Sequence, residues 1–81
     1  MITAERLQTL TTMSPGKLAK VLDQSGYSMC SFKSAEFLGI TNGGQFCYKV
    51  TYYDEAGTGE DEVGKVFVTY AHDTDAITAD F

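Results

Sequence analysis

Hydrophobic side chains recur every three to four residues in the first third of this chain, and every second residue further on. Leu18, Val21 and Leu22 stand at i, i+3 and i+4, whereas Phe46, Tyr48, Val50 and Tyr52 alternate with Gln45, Cys47, Lys49, Thr51 and Tyr53. The first spacing lays one apolar stripe on a helix; the second lays one apolar face on a strand. The aromatic residues obey the same division. The first 26 residues hold none, and all ten Phe and Tyr lie between Tyr27 and Phe81, as expected where aromatic side chains favour strands.

Punctuation residues set the boundaries. Thr3 can cap a short helix through Leu10, with Glu5 near its positive end and Leu7 and Leu10 on one face. A second helix has Ser14 as N-cap, Pro15 at its first position and Gly26 as its stop. Asn42-Gly43-Gly44 supplies a hairpin turn between a strand from Ala35 to Thr41 and the alternating strand from Gln45 to Tyr53. Asp54 to Glu62 is a polar loop with no apolar side chain larger than Ala56. Val63 to Ala71 reads as a third strand, with Val66, Val68 and Tyr70 towards the core and Phe67 on the opposite face. His72 to Asp75 forms a turn, and the alternation of Ile77, Ala79 and Phe81 suggests a short edge strand.

At 81 residues and 8.8 kDa there is room for one hydrophobic core. The expected fold is therefore α+β, with residues 1–81 as a single small domain. Two N-terminal helices pack on one face of a three- to four-stranded antiparallel β-meander. A competing organisation makes Lys17 to Ile40 two helices separated by Gly26-Tyr27-Ser28, with residues 45–71 as the wing of a winged helix-turn-helix. Gly39 would weaken that recognition helix, and the wing tip would carry five acids where DNA needs lysine and arginine. The two organisations part at residues 32–41, strand in one and helix in the other.

Charge is unevenly placed. Residues 1–53 hold three acids and five bases, while residues 54–81 hold eight acids and Lys65 alone, within a net charge of −5. An acidic pole repels phosphate backbones and membrane surfaces and attracts basic protein surfaces. The absence of a long apolar run argues against a membrane span, and the early acid in Met1 to Arg6 argues against a secretory signal. Cys30 and Cys47 are not in a C-x-x-C pair, so two free thiols in a reducing, cytoplasmic setting are expected. A disulfide between them requires neighbouring strands to set them opposite each other.

Tests for chemistry return little. His72 is the sole imidazole and stands in the polar stretch Ala71 to Asp75, where a solvated turn residue is the expectation. Zinc would lack a fourth soft ligand. The acidic loop fails the EF-hand spacing: with Asp54 at position 1, the third position is Ala56 and the twelfth is Lys65. Gly57-Thr58-Gly59 is followed by acids that would repel a nucleotide. No catalytic residue, metal or cofactor is therefore assigned, and no enzymatic activity is expected.

The surface remains. Tyr52 and Tyr53 lead into Asp54 and Glu55, and the loop continues to Glu60, Asp61 and Glu62. Rigid tyrosines beside carboxylates suit a basic, arginine-rich protein surface. The plain alternative puts Tyr52 in the core, Tyr53 on a strand surface and the loop in water. The functional expectation is a non-enzymatic protein-binding module engaging its partner through residues 52–62 and 73–80. A small acidic inhibitor or accessory protein of phage or mobile-element type fits that description. Two further readings are a winged-helix regulator touching phosphates through Lys17, Lys20, Lys33 and Lys49, and a subunit or homodimer. The latter would join through Ile77–Phe81 or through the face bearing Tyr53 and Phe67.

Overall fold

Two helices precede four strands in the computed structural model, which describes residues 2–27, 31–53, 59 and 62–81. Helix α1 spans Ala4–Thr11 and helix α2 spans Pro15–Gln24. The hydroxyls of Thr3 and Ser14 accept from the backbone N–H of Arg6 and Lys17, so both helices begin at the caps the sequence offers. Helix α2 stops in a Schellman motif. Gly26 takes φ 104° and donates to Asp23, and Tyr27 donates back to Leu22.

The strands β1 (Phe32–Ile40), β2 (Phe46–Tyr52), β3 (Val63–Ala71) and β4 (Ala76–Asp80) form one antiparallel sheet in the order β1-β2-β3-β4. The turn between β1 and β2 has Gly44 at φ 83°, and the Gly44 N–H donates to the Thr41 carbonyl at 2.9 Å. This is a three-residue hairpin loop ending in a left-handed residue, as the Asn-Gly-Gly sequence suggests. Between β3 and β4 the left-handed position is filled by Asp75, at φ 55°, a conformation aspartate tolerates better than most residues.

Both helices pack on one sheet face. Leu10, Met13, Leu18, Val21 and Leu22 meet Phe32, Phe46, Tyr48, Val50, Val66, Val68 and Ala79 in a single buried cluster. Tyr48 lies at its centre, 1% exposed. Its hydroxyl accepts from the Met13 N–H at 3.0 Å and donates to the Leu10 carbonyl at 2.5 Å, fastening the last turn of α1 and the interhelical connection to the middle of the sheet. Burial pushes the pKa of this hydroxyl up, consistent with a neutral group that both donates and accepts.

Residues 32–40 are strand, so the recognition helix of the winged-helix organisation does not form. The strand begins at Phe32 rather than Ala35 and ends at Ile40 rather than Thr41. Two register shifts, between Phe32 and Ser34 and between Phe37 and Gly39, interrupt its alternation. Each lets one residue of β1 fall out of step with β2. Phe32 thereby reaches the core although Ala35 and Phe37 keep the same facing. At the other edge, Ser25 Oγ accepts from the Ala79 N–H at 3.1 Å, so the end of α2 occupies part of the free edge of β4.

Candidate functional site

The strands give the molecule two unlike ends. At one, β1 and β3 start while β2 and β4 finish. A row of aromatic rings crosses it: Tyr27 packs edge-on to Phe81 at 5.2 Å between centroids, Phe81 meets Phe32 at 6.5 Å, and Phe32 meets Tyr52 at 5.4 Å. The C-terminal stop of α2 delivers Tyr27, and the alternation of β4 delivers Phe81. Phe32 and Tyr52 face each other as cross-strand partners. Phe32 is buried, whereas Phe81 remains 49% exposed and Tyr27 39%.

Tyr52 contributes its ring to the row and packs partly against the core. Its ring lies over Gly64, where an added Cβ would come within 2.9 Å of it. Tyr53 is on the outside, 55% exposed, and Val63 at the start of β3 is 59% exposed. Glu62 is exposed, and its carbonyl accepts from the Tyr52 N–H at 2.8 Å, closing the base of the connection between β2 and β3. Asp54, Glu55, Glu60 and Asp61 lie outside the described residues. Asp80 precedes Phe81 at this same end, opposite Phe67 on β3.

The opposite end carries the two tight hairpins and the start of α1. Here Asp75 accepts from Arg6, with Nε 3.1 Å from Oδ1 and Nη2 2.5 Å from Oδ2, and the Tyr70 hydroxyl also donates to Oδ1. Hydrogen bonding from Arg6 and then from Tyr70 holds the Asp75 carboxyl below the usual range, and donation to Asp75 raises the Tyr70 hydroxyl. His72 packs edge-on against the Tyr70 ring at 5.0 Å. A shallow polar groove of about 300 Å³ is lined by Thr3, Glu5, Arg6, Thr9, Tyr70 and Asp75.

The described carboxylates of the C-terminal part are therefore divided between the ends. Tyr52, Tyr53, Glu62 and Asp80 belong to the aromatic end, while Asp73 and Asp75 sit in the hairpin at the other, with Asp75 paired to Arg6. Of the pole expected from residues 52–62 and 73–80, the described carboxylates are thus split, Asp73 and Asp75 standing apart from Glu62 and Asp80. Lys49 and Lys65 stand opposite each other, with Glu36 next to Lys49, on the sheet face away from the buried cluster. Cys47, a free and buried thiol, has Phe67 as its cross-strand neighbour there. Cys30 lies outside the described residues.

Among the described residues no three His, Cys, Asp or Glu side chains are grouped to hold a metal ion. No helix of the described residues is long and apolar enough to cross a membrane. The sequence singled out Tyr52 and Tyr53 but not their aromatic companions. Tyr27, Phe32 and Phe81 come from three other elements, and their only sequence signal is that Phe81 continues the alternation of Ile77 and Ala79. No family model matches the chain, and neither the curated proteins nor the solved structures include a match to it.

Proposed function

We propose that the protein is a non-catalytic binding module that takes a basic protein surface at its aromatic end. The observation that carries this reading is the row Tyr27, Phe81, Phe32 and Tyr52, partly open to water and adjoining exposed Tyr53 and Val63 at the root of the acidic connection. Interfaces draw their energy from such rigid aromatic anchors, and surrounding carboxylates steer an arginine- or lysine-rich partner into place. A small inhibitor or accessory protein of phage or mobile-element type works by this kind of contact. The free thiol of Cys47 fits a reducing compartment such as the cytoplasm.

The test is an NMR titration of the labelled protein with an arginine-rich peptide and, separately, with a single-stranded oligonucleotide. The peptide is expected to shift the amides of Tyr27, Tyr53, Glu62, Val63 and Phe81 and to bind less tightly as salt rises. Tyr53→Ala and Phe81→Ala should each weaken it by about fivefold or more, the loss typical of an interface anchor. Shifts confined to Lys49 and Lys65 with the oligonucleotide, or peptide affinity indifferent to both substitutions, would refute the proposal.

A further inference from the structure

The two helices are held very differently. Helix α2 buries Leu18, Val21 and Leu22 and packs across β1 and β4. Helix α1 buries Leu10 alone, leaves Leu7 exposed, and comes close to the strands at few points. Its eight residues are too few to be helical in isolation. Thr9 and Thr11 turn their hydroxyls back onto the carbonyls of Glu5 and Leu7, an arrangement that slightly weakens a helix. Its persistence therefore depends on tertiary anchors.

Those anchors lie at the helix's two ends. At the C-terminal end Leu10 fills its slot and its carbonyl accepts from Tyr48. At the N-terminal end Arg6 grips Asp75 through two nitrogens while Tyr70 donates to the same carboxylate. Asp75 serves from a left-handed backbone conformation, so its hairpin presents the carboxylate at a cost the clasp offsets.

We propose that α1 is a detachable arm, opening from the sheet without unfolding α2 or the strands, and that the Arg6–Asp75–Tyr70 clasp sets how often it opens. Opening uncovers the slot of Leu10 and the hydroxyl of Tyr48 while leaving the remaining core in place. The arm and the aromatic row use different residues, so this device is separate from the binding surface proposed above.

Amide hydrogen exchange on the intact protein tests it. The parent's amides at residues 8–11 are expected to exchange roughly tenfold or more faster than those of β2, the mark of a sub-global opening. Arg6→Gln and Asp75→Gly should each speed exchange at residues 8–11 by about twofold to fivefold, the range for an exposed ion pair of good geometry, and leave β2 unchanged. Glycine keeps the left-handed turn conformation at residue 75, so the second variant removes the clasp without distorting the hairpin. A common exchange rate for α1 and β2 in the parent overturns the proposal. So do unaltered α1 rates in both variants.

Discussion

Tyr48 joins the end of α1, the connection to α2 and the middle of the sheet. Its ring fills the core beside Phe37, which in turn meets Phe46, and its hydroxyl satisfies one backbone group in the last turn of α1 and one in the connection to α2. Tyr48→Phe keeps the ring but strands the Met13 N–H and Leu10 carbonyl, and should cost about 1–3 kcal/mol, read from urea unfolding. Gly64 is a second residue with a specific reason. Tyr52 Cε2 and hydroxyl would lie 2.9 and 3.0 Å from a Cβ there, so Gly64→Ala should displace the ring and cost about 1 kcal/mol. Made in a Tyr52→Ala background, the same change should lose most of that cost; a double-mutant cycle with no coupling would contradict this account.

Among the elements, α2 was legible to the residue because its signals are local. Ser14, Pro15, the stripe and Gly26 each act within a turn or two of their own position. Replacing Gly26 with alanine forces a side chain into φ 104° and should destabilise the protein by about 1 kcal/mol in thermal or urea unfolding. Strand β1 was legible only in part, since its two register shifts break the alternation by which a strand is recognised. The α1 clasp adds a pH dependence. The folded carboxyl of Asp75 is held below its ordinary value, so its stabilisation is complete above the usual carboxylate range and is lost as pH falls through the lowered value. Helical circular dichroism should thus fall more in acid for the parent than for Asp75→Asn. Arg6, Glu5, Tyr70 and His72, the other ionisable groups facing or adjoining the clasp, are common to both proteins.

For the whole molecule, the consequence of the meander is that distance along the chain is not distance in space. Glu62 before β3 and Asp73 after it, near neighbours among the acids of the sequence, are sent to opposite ends by the length of β3. Charge reversal at Glu60, Asp61 and Glu62 is expected to slow association with an arginine-rich peptide and flatten its salt dependence, whereas Asp73→Lys should change neither by more than about twofold, as befits a charge separated from the contact by more than a screening length. Equal effects from both would show that net charge alone, rather than the aromatic end, governs the encounter.

The two helices, the hairpin turn and the facing of β2 and β3 were written in the sequence, because period and punctuation act between near neighbours whatever the rest of the chain does. Local pattern admits both strand and helix for residues 32–41, and either three or four strands for the sheet. The bulges of β1, the seat of Tyr48 between helix and sheet, and the meeting of Tyr27, Phe32, Tyr52 and Phe81 were decided only in three dimensions. Each depends on groups far apart in the chain arriving at one place, and no local pattern encodes the register that brings them there. Arg6 and Asp75 make the same point: each is an ordinary surface charge until the sheet carries one to the other.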